Sequence, residues 1–339
     1  MLNLRSTIMK KKGIISSIIG SVLLYLSLQG VKFSEISLSN GDFNASFLIP
    51  IVVLMLLVPL IRALRLKLLF SHLHNIQYSQ VFLVNNIGYL FIMLLPLRLG
   101  ELAIPYLMKR NNGISMVSTM SVIFIERMID FIVLVGFLFF IYFMLLLPPW
   151  LLKSGIIISL GLGIIIVSLF VSYRRSGFIK TLIEPLLKRM PQHIQDKIDG
   201  ILRRLREGFG IIQSPGLIFL TIVISIIVWV ISVIIIYCLF RFYGINLGFI
   251  AAMTVMVVNV IGISIPAGPG VIGNFQYSCI IALSFFGLDR NVSFIFSNLY
   301  YVISMSFTML IGIISFMATD ISFREIKENL NLDESSSSI

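Results

Sequence analysis

Charged side chains are scarce in this sequence, at 12% of its 339 residues. A soluble domain of this size carries about 25%. So few ionisable groups cannot build a water-facing surface, which excludes a soluble globular fold. What stands in their place is apolar: 58% of the residues are hydrophobic, and the mean hydropathy is +1.02. Only helices and closed barrels satisfy their own backbone groups in lipid. Runs of this length point to helices, so the chain reads as an all-α polytopic membrane protein.

Cysteine is nearly absent. Cys238 and Cys279 lie in separate apolar segments, which excludes a disulfide framework. Histidine is equally sparse, and His72 and His74 form an H-x-H with no third ligand nearby. No metal site is therefore expected. No Walker motif or G-x-S-x-G occurs either, so neither a cofactor nor ATP-driven transport by this chain alone is expected. The net charge of +11 does not indicate nucleic acid. In a membrane protein, excess Lys and Arg collect in cytoplasmic loops and at anionic headgroups. N-A-S at Asn44 and N-V-S at Asn291 match a glycosylation pattern that has meaning only in a eukaryotic secretory context.

About twenty apolar residues cross a bilayer. Six full spans are expected near 13–31, 47–66, 115–147, 152–173, 216–242 and 292–318. Two further apolar stretches are interrupted: 79–110 at Pro96 and Pro105, and 247–287 at the PAGPG sequence. Lys10, Lys11 and Lys12 precede the first span, and Arg62, Arg65 and Lys67 close the second. Placing these basic clusters in the cytoplasm puts both termini inside. Each interrupted stretch then begins and ends on one face, as a helical hairpin that is either re-entrant or crosses twice. Interrupted segments in corresponding halves are the mark of an inverted-repeat transporter with a site near the midplane. Residues 1–320 form a single transmembrane domain in this reading. Within it, 174–212 is a basic amphipathic segment lying on the cytoplasmic headgroups, and 321–339 is a polar tail.

Polar residues inside apolar runs carry the chemistry. Asn85, Asn86, Arg98 and Glu101 occupy the first interrupted stretch, with Pro96 and Gly100 flanking the charged step. Glu126, Arg127 and Asp130 sit inside a span. An ionised side chain at the bilayer centre costs at least about 2.5–3.5 kcal/mol, so these five charges are expected to compensate one another. Locally, Arg98 can pair with Glu101 and Arg127 with Asp130, each at i+3; cross-pairing of Arg98 with Glu126 or Asp130, and of Arg127 with Glu101, would satisfy all five. The plain reading is a structural ion-pair knot. The functional reading is a polar cavity in which Arg98 or Arg127 grips a phosphate.

The second interrupted stretch holds Asn259, Pro266, Gly268, Pro269, Gly270, Gly273, Asn274 and Gln276. Its glycines spell G-x-G-x-x-G, but a dinucleotide site needs a preceding strand and a soluble βαβ unit. Both flanks here are membrane-helix sequence, so the spelling marks a helix break instead.

Taken together, LPLRLGE, IERMID one span later and IPAGPGVIGN resemble the lysylphosphatidylglycerol synthase transmembrane (flippase-like) family over residues 10–320. The resemblance implies an all-helical membrane unit with re-entrant elements that moves lipids between leaflets. It points to Arg98, Gly100, Glu101, Glu126, Arg127, Asp130, Pro266, Gly268, Gly270 and Gly273. One departure stands out: Asn274 occupies the place where the family commonly has an acid. No aminoacyltransferase domain follows residue 320, so synthesis of lysyl-lipid by this chain is not expected.

The expectation is a flippase or translocase for a phosphate-bearing lipid in the cell membrane, either a phospholipid or a polyprenyl-phosphate-linked species. Implied partners are membrane lipids and a separately encoded glycosyltransferase or aminoacyltransferase. Two other classes compete: a membrane enzyme with Glu126 or Asp130 as general base, and a noncatalytic scaffold for a glycosyltransferase.

Overall fold

The computed structural model describes residues 21–29, 43–95, 100–145, 161, 191–265 and 269–320. Among these residues every regular element is a helix. The helices are α1 (Leu48–Phe70), α2 (Tyr78–Leu94), α3 (Ala103–Asn112), α4 (Met116–Met144), α5 (Gln192–Gly208), α6 (Pro215–Phe242), α7 (Phe249–Ser264), α8 (Asn274–Ser284) and α9 (Arg290–Met317). Residues 21–28 are also helical. The expected span at 152–173 falls outside the described residues apart from position 161, as do Pro96, Arg98, Pro266, Gly268, residues 174–190 and the tail.

Among the described residues, three helical stretches are long and apolar enough to cross a membrane: Ala45–Phe70, Pro215–Phe242 and Arg290–Met317. The fourth long helix, α4, has 29 residues and carries Glu126, Arg127 and Asp130 near its middle. These four match the expected spans to within a few residues. The first expected span is described only from residue 21 to residue 29.

The element order repeats. A long helix, a broken pair and a long helix (α1, α2–α3, α4) recur as α6, α7–α8, α9. The second member of each pair is short, with 10 residues in α3 and 11 in α8. At about 1.5 Å per residue they reach only about 15–17 Å, half of a ~30 Å hydrocarbon core. Neither crosses a bilayer alone.

Small residues close both pairs. A β-carbon on Gly88 of α2 would sit 2.4 Å from Ile104 Cγ1 of α3, and one on Gly262 of α7 would sit 2.4 Å from Ser278 Cβ of α8. The two glycines end matching tetrapeptides, Asn85-Asn86-Ile87-Gly88 and Asn259-Val260-Ile261-Gly262. The breaks end alike too, in Gly100-Glu101 and Gly273-Asn274. This internal repeat of N-x-I-G, break and Gly-polar emerges once the hairpins are aligned.

The first break lies between Leu94 and Ala103, so Pro105 is not a breakpoint. It occupies the first turn of α3, where a missing amide hydrogen costs nothing. At Gly100 a β-carbon would meet the Phe91 and Ile92 backbone at 2.1 Å, which only glycine avoids. In the second break a short 3-10 turn, Pro269–Val271, precedes α8, and Gly270 (φ 69) and Gly273 (φ 88) are left-handed. Tyr301 Oη on α9 donates to the Gly270 carbonyl at 2.9 Å. This latch pins the turn to α9.

The described residues divide into two compact units. The first comprises 1–64, 78–106 and 227–339; the second comprises 65–77 and 107–226. In the first, α9 packs on α2 and on α8, and the 269–271 turn packs on α2. Gly312 of α9 makes the α2 contact close, since a β-carbon there would lie 2.7 Å from Leu90 Cβ. In the second, α5 packs along α4. Gly208 abuts Ser118 and Ser121, Ser118 Oγ donates to the Arg204 carbonyl at 3.0 Å, and the His72 ring lies 3.0 Å from the Glu207 carbonyl. The segment expected to rest on headgroups thus has one face committed to protein. The polar face of α5, with exposed Arg203, Arg204 and Arg206, remains outward.

Candidate functional site

Within the first unit, α1, α2, α6 and α9 enclose a cavity of about 180 Å³. Its polar lining comprises Arg62, Asn86, Tyr89, Ser232, Tyr300, Ser304 and Thr308; Met55, Val58, Pro59, Ile235, Phe307 and Ile311 supply the apolar wall. Arg62 is half-buried, and its guanidinium carbon sits 5.0 Å from the centroid of the Tyr89 ring. That cation–π contact steadies the charge without neutralising it. No carboxylate pairs with Arg62 among the described residues.

Three of the other polar side chains in the wall are held by their own helices. Ser232 Oγ donates to the Val228 carbonyl, Thr308 Oγ1 to Ser304 and Asn86 Nδ2 to Phe82. Such back-bonding within a helix leaves hydroxyl lone pairs facing outward. One cation, several hydroxyls and an aliphatic wall make an amphiphilic pocket suited to an anion carried on an apolar body.

The second unit contains a buried ion cluster. Arg65, 1% exposed, donates from Nη1 to Asp130 Oδ1 (2.5 Å) and Ser225 Oγ (2.8 Å) and from Nη2 to Glu126 Oε1 (2.5 Å) and Asp130 Oδ2 (3.2 Å). Glu126 and Asp130 are four apart, so both carboxylates present on one face of α4. Arg127 Nη1 stands 3.9 Å from Asp130 Oδ2. Two guanidinium groups and two carboxylates therefore lie together.

A family model described as the lysylphosphatidylglycerol synthase TM region matches residues 13–312. The chain belongs to that family. It is also similar to the UPF0104 membrane protein MJ1078 of Methanocaldococcus jannaschii, 26% identical over 223 residues, covering 66% of this chain and 91% of the relative. No solved structure matches it.

This family member places its motif residues in three settings. Glu126 and Asp130 meet the guanidinium of Arg65; Arg98, the partner expected for them, lies outside the described residues. Sequence reasoning missed Arg65 because RALRLK looks like an ordinary basic end of a span. The helix instead runs on to Phe70 and carries Arg65 inside. Arg127 lies beside Asp130, the i+3 partner that its spacing offered. Glu101 is half-buried in the short turn just before α3.

The asparagines serve the hairpins. Asn274 Nδ2 donates to the carbonyls of Gly262 (3.1 Å) and Ile265 (2.9 Å), satisfying acceptors that the end of α7 leaves open. Asn259 Nδ2 donates to the Phe275 carbonyl at 3.3 Å, and the Gln276 side chain accepts from the Gly273 amide at 2.9 Å. These bonds explain an amide at 274: a carboxylate would face two carbonyl oxygens. Asn85 is 2% exposed, and its Nδ2 has no partner among the described residues. Arg62 was the second residue that sequence reasoning passed over, for the same reason as Arg65. Among the described residues no His, Cys, Asp and Glu cluster could hold a metal.

Proposed function

We propose that this protein is a lipid translocase that moves a phosphate-bearing lipid between leaflets of the cell membrane, with its basic loops on the cytoplasmic side. The observation that carries the reading is Arg62: a cation with no carboxylate partner among the described residues, set in a wall that is half hydroxyl and half aliphatic. A guanidinium binds a phosphate through two parallel hydrogen bonds. The Ser304, Thr308 and Tyr300 hydroxyls add neutral contacts, and the aliphatic wall accommodates the start of an acyl or prenyl chain.

Membership of a family named for lysylphosphatidylglycerol synthesis supports a lipid substrate. Arg98, in the LPLRLGE break, is a further phosphate contact in this proposal, on its motif alone. The Arg65 cluster is assigned a positioning role, since Glu126 and Asp130 are both engaged by a buried cation. That engagement also weighs against either carboxylate as a general base.

Reconstitution tests the reading. Purified protein in liposomes is expected to speed leaflet exchange of a fluorescent phosphatidylglycerol over protein-free liposomes. Exchange no faster than in those liposomes would end it.

A further inference from the structure

A second concave surface lies in the other unit and takes no part in the reading above. The first turn of α4, the end of α3, the loop after α1 and the outer face of α5 bound a groove of about 530 Å³. Lys109, His74, Arg203 and Arg204 line it against a single carboxylate, Glu207. That carboxylate is 4.0 Å from Arg203 Nε on a pair that is largely exposed, so it neutralises little. The floor is made by Ile114, Met116 and Val117.

The groove is positioned by protein contacts rather than by chance crowding of side chains. Ser118 Oγ donates to the Arg204 carbonyl, and Gly208 fits against Ser118 and Ser121 so closely that no side chain is tolerated there. These contacts hold the Arg203–Arg204 turn of α5 over the start of α4. Ser115 caps α4 by accepting from the Ser118 amide. The amides of Met116 and Val117 have no acceptor within the helix, as at any helix N-terminus, and both residues line the groove. A scattered basic surface would satisfy the charge bias of cytoplasmic loops. It would not need α5 packed so that its arginines overhang a helix start.

We infer that this groove is a second anion site, for a phosphate group held by Lys109 and Arg204 at the start of α4. The phosphate is presented either by an anionic lipid headgroup at the cytoplasmic interface or by a soluble phosphate compound. The site is independent of the Arg62 cavity, and either assignment can fail without the other.

The experiment is native mass spectrometry of the full chain in detergent, in two arms. One arm offers phosphatidic acid against phosphatidylcholine; the other offers inorganic pyrophosphate. The wild type is compared with the double variant Lys109→Gln/Arg204→Gln. Arg206→Gln, which removes a charge from α5 outside the groove, serves as control. Each basic residue near a membrane surface strengthens anion binding about fivefold, so the double variant is expected to bind about thirtyfold more weakly. Arg206→Gln is expected to bind like the wild type, and Lys109→Arg/Arg204→Lys to retain binding. Loss confined to the phosphatidic acid arm identifies a lipid site, and loss confined to the pyrophosphate arm a soluble ligand; both support the inference. Equal losses in the double variant and Arg206→Gln, an unchanged double variant, or no binding in either arm would overturn it. A double variant that fails to elute as a single species is replaced by Arg204→Gln alone, read by the same criteria.

Discussion

Arg65 on α1 and Asp130 on α4 form a two-pronged ion pair, with Nη1 to Oδ1 at 2.5 Å and Nη2 to Oδ2 at 3.2 Å. Glu126, one turn earlier on α4, accepts from the same guanidinium. Arg65 is thus the centre of the cluster, and the residues around it are fixed by its fork.

Removing that centre takes the bonded guanidinium away from two buried carboxylates. Arg65→Met is expected to cost about 3–5 kcal/mol, read as a fall in thermal midpoint of the detergent-purified protein. Replacing Glu126 and Asp130 with Met and Leu in the same chain is expected to recover part of the loss, because no buried carboxylate is then left without Arg65, while half-buried Arg127 loses its contact with Asp130. Additive losses across the three sites would show that the pairing does not operate.

The second hairpin offers a sharper probe. Asn274→Ala leaves the Gly262 and Ile265 carbonyls without their donor and is expected to cost about 1–3 kcal/mol. Asn274→Asp keeps the size but sets an acceptor against two acceptors, so it is expected to be the more harmful at neutral pH. Thermal unfolding of both variants checks the order. A tolerated aspartate would contradict the stapling role.

Glycines at the first hairpin should rank by what they touch. Gly100→Ala drives a β-carbon into the Phe91 and Ile92 backbone, which cannot step aside, whereas Gly88→Ala meets the Ile104 side chain, which can rotate. Gly100→Ala is therefore expected to abolish the recovery of folded protein, and Gly88→Ala only to reduce it. Size-exclusion profiles of the two variants measure this directly.

Helix positions and both breaks were legible because apolar run length and Pro-Gly interruptions report backbone behaviour locally. The partners of the charges were not. Arg62 and Arg65 sit in a sequence that ends an apolar run with basic residues, and nothing local separates a lysine at a headgroup from an arginine aimed inward. Only the path of α1 does so, since it continues as helix to Phe70 and turns position 65 toward α4 and α6. The role of Asn274 was hidden similarly: its bonds reach back to α7 across the break. The matching N-x-I-G tetrapeptides were present in the sequence, but four residues gain meaning only when two hairpins are seen closing on the same glycine.

Leaflet exchange of phosphatidylglycerol in liposomes carrying Arg62→Gln tests the central claim most directly, with Arg241→Gln as a control. Arg241 bonds Asn246 and Tyr237 away from the cavity. A hydrogen bond to a charged group contributes about 1.5–3 kcal/mol, so Arg62→Gln is expected to slow exchange by about tenfold or more. Arg241→Gln is expected to match the wild type. Exchange at the wild-type rate in folded Arg62→Gln protein would contradict the account.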